Sequence, residues 1–441
     1  MTRKFSRRDL LGLLGASGLS AGVGGFGTGR EAFAAPASAS DHSPATLIDG
    51  KVIQPERELP LLHKTRVLVV GAGPAGVAAA IAAKRAGAKV TLVERYGHFG
   101  GQWTGGLVLL LDGMYVKGKK MVTRGIGNEM VRRLEKMDRA LINYRPGVNA
   151  TVDAEALKYL MVEMIVEAGI DVYLHSWGVD AVVDGNTVRG AVFENKSGRQ
   201  AILADVVVDA TGDGDIFARA GAEFEHMRYH IGLVCRIGNL DKVDRTKTQK
   251  AKKPRHLGSP TPIPGVNWVN MHGPESDAVD VTELTRLELN HRRQIWKHVE
   301  QIRKTPGYEK VYLVETAPQL GVRMSRLLGG LKKLTHRGFQ ENKRFADVIG
   351  VGGAWSADHQ QWQIPYGALV PRKVDNILAA GRCICAEPKM ADLLRVIPPC
   401  WVTGQAAGAA AAVAIQDRCR PRDVDVPKLQ KLLKEQDVYL G

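Results

Sequence analysis

The chain has 441 residues, room for two or three domains at roughly 100–200 residues each. Hydrophobic residues at 44% and charged residues at 24% allow a sizeable core, and the absence of 18 consecutive apolar residues excludes a multi-span membrane protein. A formal charge of +15 suits an anionic substrate, an acidic redox partner or a polyanionic surface, but no basic groove interleaved with aromatics is present, so no nucleic-acid partner is expected.

Residues 1–34 read as an address. Arg3, Lys4, Arg7 and Arg8 form a basic start, followed by an apolar stretch from Leu10 to Phe26 diluted by glycines, and Ala32-Phe33-Ala34 offers a small-x-small cleavage site. The core Ser6-Arg7-Arg8-Asp9-Leu10-Leu11 resembles a twin-arginine (Tat) signal. That resemblance implies handling by the Tat machinery and export of a folded, cofactor-loaded protein to the periplasm or beyond. Residues 35–60, rich in Ala, Ser and Pro at their start, read as a linker.

From Arg66 the character changes. Val67–Val70 is a continuous apolar run, the pattern of a strand buried on both faces of a parallel sheet. It enters Gly71-Ala72-Gly73-Pro74-Ala75-Gly76, and an Ala-rich helix is expected over 77–86, stopped by Gly87. A second strand over 89–93 ends at Glu94. This is a βαβ unit with GxGxxG at its first turn. Gly71 permits the tight turn, Gly73 lets a pyrophosphate approach the backbone, and Gly76 allows close helix–strand packing. The helix N-terminus offers free N–H groups and a positive dipole to phosphates. Glu94 is placed to accept hydrogen bonds from an adenosine ribose.

Further glycine-ended segments follow. The loop GGQWTGG (100–106) comes just past Glu94, and Val206–Val208 leads into DATGDGD (209–215). Between about 222 and 365 the βαβ rhythm lapses. The span 241–280, including the basic run 242–256, reads as irregular surface structure. Leu284, Leu287, His291, Ile295, Val299 and Ile302 then recur at helical spacing, and 311–314 reads as a short strand. The end of the chain carries NILAAGR (376–382) and LRVIPPCWVTGQAAG (394–408), the latter opening a helix. Three buried strands with glycine ends make one long extended ligand a reasonable expectation.

Together GAGPAG with Glu94, GGQWTGG, DATGDGD, ETAPQLGVRMSR (315–326), NILAAGR and LRVIPPCWVTGQAAG resemble the bacterial FAD-dependent oxidoreductase family, related to fumarate reductase flavoprotein and heterodisulfide reductase flavin subunits. The resemblance covers most of 65–415. It implies an α/β fold: a Rossmann-like FAD-binding domain with a parallel sheet, in parts 61–225 and 366–441, and an inserted α+β substrate or cap region over 226–365. It further implies that Gly71, Gly73, Ala75, Gly76, Glu94, Arg95, Gly101, Gln102, Thr211, Gly212, Gly381 and Arg382 hold FAD. The helix opening near Pro399 would aim its N-terminus at the flavin pyrimidine edge.

One departure matters: glutathione-reductase-type flavoproteins carry Gly-Asp where this chain has Gly381-Arg382, and no second GxGxxG unit is visible. A built-in NAD(P)H domain is therefore not expected, and a separate electron acceptor is. The activity implied is hydride transfer between a small organic substrate and flavin N5. The alternative is an electron-transfer flavoprotein subunit docking on another protein. A plain NAD-dependent dehydrogenase would require the later motifs to be coincidence.

For a proton-handling base the candidates are His226, His230, His336 and His359, with His359 preferred because its stretch leads back to the flavin domain. Tyr366 and Arg323 are candidates to orient a substrate oxygen or carboxylate. Arg323 and Arg326, three apart, could share a helical face or simply be solvated. No metal-ligand set is read. None of the five cysteines falls in CxxC spacing; Cys383 and Cys385 read as buried apolar residues or a redox dithiol, and Cys400 could approach the flavin.

Overall fold

Val67–Val70 has no side suited to water, and none of the four meets it. They end β1 (Leu61–Val70), whose earlier residues alternate between exposed and covered. The computed structural model describes residues 44–116, 120–143, 149–249, 252–353 and 360–441. The signal-like segment 1–34 and His359 lie outside the described residues. Two compact units are present. In the first, ending at Glu56, Thr46–Ile48 and Lys51–Ile53 pair as an antiparallel hairpin, where a linker was expected. The second spans Arg57–Gly441 and holds everything that follows.

After β1 comes α1 (Pro74–Arg85), three residues earlier than the sequence pattern predicts. Pro74 opens the helix, where its missing N–H costs nothing and its fixed φ is already helical. β2 (Val90–Val93) pairs in parallel with β1, completing the βαβ unit. β3 (Asp171–Tyr173), β4 (Trp177–Asp184), β5 (Thr187–Asn195) and β6 (Gly198–Asp209) extend the sheet, in the order β3-β2-β1-β6-β5-β4. β1, β2, β3 and β6 run parallel, whereas β5 and β4 are antiparallel additions.

The twelve-residue β6 serves two neighbours on its far edge. Its first half pairs with β5, and Val207–Asp209 pair in parallel with Ile377–Ala379. The late strand therefore joins the same sheet as β1 and β2.

The helix Ile397–Asp417 is buried through almost its whole length and lies on α1. A Cβ on Gly404 would fall 2.0 Å from the Ala75 carbonyl oxygen, and one on Gly408 would fall 2.0 Å from that of Ala79. Two glycines four apart thus bring the helix backbones together and seat its first turn beside the β1–α1 turn.

Residues 226–365 build a second sheet, ordered Ser259–Pro260, Asn267–Met271, Leu233–Gly238, Tyr312–Thr316, all antiparallel. The span 241–280 is thus less irregular than its Pro and Gly content suggests. The helix Val281–Arg303 packs on this sheet through Leu287, His291, Ile295, Val299 and Ile302, as their spacing predicts. The Asp280 carboxylate caps it by accepting from the backbone N–H of Thr282 at 2.7 Å and of Glu283 at 3.1 Å. Arg323 and Arg326 share no helix: Arg323 lies in a loop and Arg326 begins the strand Arg326–Leu328.

Candidate cofactor and substrate site

The turn after β1 shows why its glycines are spaced as they are. Gly71 has φ of 94°, and a Cβ there would sit 2.5 Å from the Ala210 carbonyl oxygen. A Cβ on Gly76 would sit 1.7 Å from the Gly71 carbonyl oxygen, so this glycine serves packing and does not line the cleft. Gly73 differs from both. A Cβ there would meet nothing within 4 Å, so its bare face looks onto open space. With no side-chain cap at Gly73, the first N–H groups of α1 remain available to an anion.

Glu94 closes the unit. Its Oε2 accepts from the Ala72 N–H at 2.6 Å and its Oε1 from the Tyr96 N–H at 3.0 Å, fixing the carboxylate at the tip of β2. The Gly100 N–H donates to the Ala72 carbonyl at 2.7 Å, tying the GGQWTGG loop to the first turn.

At the end of β6, Asp209 is fully buried. Its carboxylate accepts from the N–H and hydroxyl of Thr211 and from the N–H groups of Ile216 and Phe217. Burial pushes its pKa up against those hydrogen bonds. Asp209 therefore shapes the turn that presents Thr211 and Gly212.

Arg382 locks this turn to the late one. Its Nε donates to the Gly212 carbonyl at 2.8 Å, its Nη1 to the Val322 carbonyl at 3.0 Å, and its Nη2 to Asp213 Oδ1 at 2.7 Å. The Ser325 hydroxyl donates to the same Asp213 oxygen at 2.6 Å. Burial would raise Asp213, but Arg382 and Arg95 outweigh it and hold its carboxyl below the usual range. Asp215, gripped by Arg326 at 2.9 Å, goes the other way: burial and then the charges of Asp213 and Asp209 push it up to about 6.

These turns enclose one cleft of about 850 Å³. Gly71, Gly73 and Ala75 line it from the first turn, and Glu94 and Arg95 from the end of β2. Gly101 and Gln102, Thr211 and Gly212, and Gly381 and Arg382 supply the remaining nominated walls. The three glycine-ended strands therefore converge, although their turns are separated by hundreds of residues. Ser176, Trp177 and Gly178 also line the cleft, and the Arg95 guanidinium lies 5.3 Å from the Trp177 ring centroid. No motif in the sequence pointed to them. Ile397 and Cys400, in the first turn of the long helix, complete the wall.

A second cavity of about 960 Å³ shares Gln102, Arg382, Arg395 and Ile397 with the cleft. Its other walls come from the inserted sheet, through Val234, Trp268, Asn270 and His272, and from Gly321, Val322 and Arg323. Arg323 is thus placed beside the cofactor cleft. Tyr366 is not: it is buried elsewhere, with its hydroxyl donated to the Pro421 carbonyl at 2.6 Å. A 3-10 turn begins at Tyr366 and directs its ring into the core.

His226 pairs with Asp277 at 3.0 Å and His230 with the Gly273 carbonyl at 3.2 Å; both are exposed, and neither lines either cavity. Among the described residues the histidine that does line one is His272, which sequence reasoning missed. Burial, then Arg323 and other cations, lower its pKa.

All five cysteines are free. Cys383 and Cys385 are buried, and burial raises both thiols, which leaves them inert apolar residues rather than a reactive pair. Burial pushes Cys400 up to about 12. Among the described residues no group of three or more His, Cys, Asp or Glu side chains could hold a metal ion, and no helix is long and apolar enough to cross a membrane.

A cleft with a bare glycine at a helix start, a fixed carboxylate at the next strand tip and two further backbone turns defines a dinucleotide-binding protein. The chain matches the FAD dependent oxidoreductase family over residues 66–433 and belongs to it. It is an enzyme, and FAD is its cofactor. Digeranylgeranylglycerophospholipid reductase 2 of Methanopyrus kandleri is 30% identical over 146 residues, 33% of this chain and 37% of that protein. Thiamine thiazole synthase of Aeropyrum pernix is 30% identical over 172 residues, 36% of this chain and 59% of that one. The chain thus matches less than two thirds of each relative's length. Among solved structures, a geranylgeranyl bacteriochlorophyll reductase-like protein from Thermoplasma acidophilum aligns at TM-score 0.44 and 18% identity, over 86% of this chain and 84% of its own. A flavoprotein/dehydrogenase from Cytophaga hutchinsonii aligns at 0.46 and 14%, over 85% and 84%.

Proposed function

We propose that this flavoenzyme transfers a hydride between a small organic substrate and flavin N5, and that it is exported already folded around FAD. The observation that carries the first part is the junction of the two cavities. The cleft of glycine turns suits the extended dinucleotide, and the adjoining space walled by the insert suits a substrate. FAD, when bound, supplies a two-electron acceptor or donor. The chain's own residues do the rest. Gly73 and the start of α1 receive the pyrophosphate, Glu94 receives the ribose, and Arg382 holds the Gly212 and Gly381 turns in register. Gln102, Arg395 and Ile397, common to both cavities, border the place where substrate and ring meet.

Anaerobic visible spectra of the purified mature protein test this reading. A flavin spectrum bleached by an added small molecule, without a protein partner, is expected. A colourless protein that releases no adenine dinucleotide on denaturation would overturn it.

Export rests on the Ser6-Arg7-Arg8-Asp9 segment and its Ala32-Phe33-Ala34 site. Replacing Arg7 and Arg8 with lysine should leave the protein in the cytoplasm on fractionation.

The electron-transfer reading draws on one surface. Val281, Leu289 and Trp296 are exposed on the helix Val281–Arg303, beside Arg286 and Arg293. Reduction by an acidic protein alone, at a salt-sensitive rate, would favour it.

A further inference from the structure

The cavity beside the cofactor cleft has an uneven chemistry. Val108, Leu110, Val234, Val322 and Trp268 make much of its wall apolar, yet Arg323 stands in it. Among the described residues no carboxylate is hydrogen-bonded to Arg323. Its Nη1 donates to the His230 carbonyl at 2.8 Å and its Nη2 to Asn270 Oδ1 at 3.3 Å, both neutral acceptors. The other cations of the wall differ: Arg382 is matched to Asp213, and Arg395 to Asp392 at 2.5 Å. A guanidinium carries five N–H donors, so Arg323 keeps three after these two bonds. Trp268, only 8% exposed in the same wall, keeps its indole N–H buried without an acceptor.

Burial, and then the charge of Arg395, lower the Arg323 pKa, and the opposing charge of Asp392 does not offset them. Among the described residues the one carboxylate in the wall is Asp112, which accepts from the Asn149 amide at 2.7 Å and whose pKa burial raises.

We infer that the cavity takes an organic acid with one carboxylate and an apolar body: the carboxylate is bound by Arg323, and the aliphatic or aromatic body lies along Val234, Trp268 and Val322 toward the residues shared with the cofactor cleft. This rests on reading that space as the substrate pocket of a flavoenzyme. A planar fork with neutral anchors matches a carboxylate's two oxygens, and the indole N–H adds a further donor. The apolar wall rewards hydrocarbon, and because Arg382 and Arg395 already hold carboxylates, a second acid group on the ligand finds no free cation.

The test uses the flavin-loaded protein, titrated with hexanoate and 3-phenylpropionate, with their amides, and with the dicarboxylate adipate. Binding is followed by perturbation of the flavin absorbance and independently by the shift in melting temperature. The acids should bind at least tenfold more tightly than their amides. Arg323→Gln should weaken the acids by about 30-fold or more, abolish the preference over amides, and leave flavin content unchanged. Arg323→Lys should recover part of the loss, since it restores charge without the fork. Trp268→Phe keeps the ring, guards against a merely unfolded variant, and should weaken the acids several-fold.

Equal binding of acids and amides, no binding of any acid, an unaffected Arg323→Gln variant, or tighter binding of adipate than hexanoate would each overturn the inference. Protein that purifies without flavin would instead overturn the functional reading beneath it.

Discussion

The two cavities meet at four residues but are built on different principles. The cofactor cleft is made of backbone: glycine turns at strand ends, helix N–H groups and one carboxylate held by two main-chain amides. The adjoining cavity is made largely of side chains delivered from separate segments, Val108 and Leu110 from one, Val234 and Trp268 from the second sheet, and Arg323 from a loop. A backbone cradle demands particular residues at fixed local spacing, because only glycine meets the steric terms. A side-chain wall demands only that suitable groups arrive from somewhere. That is why every position nominated for FAD except Gly76 lines the cleft, whereas of the two nominated catalytic residues that are described, Arg323 lines the second cavity and Tyr366 does not.

The contrast breaks most sharply at two glycines three apart. Gly76→Val places atoms inside the Gly71 carbonyl and should abolish soluble, folded protein altogether. Gly73→Val meets open space and a backbone conformation that any residue adopts. The flavin-free fold should therefore survive with an unchanged circular dichroism spectrum while flavin incorporation is lost. If Gly73→Val retains flavin, the pyrophosphate does not lie where the cleft suggests.

Arg382 is the next test, because its side chain ties the Gly381 turn to the Gly212 turn. Arg382→Met leaves Asp213 buried without its counter-charge and should cost about 3–5 kcal/mol in chemical denaturation. The double variant with Asp213→Asn should recover much of that loss. If the single change were silent, the Gly212 and Gly381 turns would be held by something else.

Asp215 gives a smaller, pH-dependent effect. Its pKa in the fold is about 6 against 3.8 for the free group, so the folded protein binds this proton more tightly than the unfolded chain. Its contribution to stability is therefore present below pH 3.8 and falls as pH rises to about 6. In Asp215→Asn the flavin-free protein should lose less melting temperature across that window than the wild type. An identical slope would place the titration elsewhere.

Smallest of all is Tyr366→Phe, which removes one buried hydrogen bond and should cost about 1 kcal/mol. Flavin content and the rate of flavin reduction should not change. A large loss of reduction rate would return Tyr366 to the site.

Much of the fold was legible because its signals are local. Val67–Val70 and Val206–Val208 are uniformly apolar because both faces of their strands are covered, and the three- and four-residue spacing from Leu284 to Ile302 is that of a helix with one buried face. Local signals failed where partners decide structure. Nothing in 259–271 announces strands that exist by pairing with Leu233–Gly238 or with one another. Trp177 and His272 belong to no motif, yet pairing with β5 brings one to the cleft, and the inserted sheet brings the other to the cavity.

By itself, then, the sequence determined where the chain must turn without side chains, and with that the dinucleotide cradle and its cofactor class, since the requirement for glycine acts over a few bonds. Only the tertiary structure decided that Arg382 clamps two turns 169 residues apart, that Tyr366 turns into the core, and that Arg323 is anchored by a carbonyl and an amide oxygen beside the cleft. Those outcomes depend on which distant side chains meet, and distance along the chain carries no energy of its own.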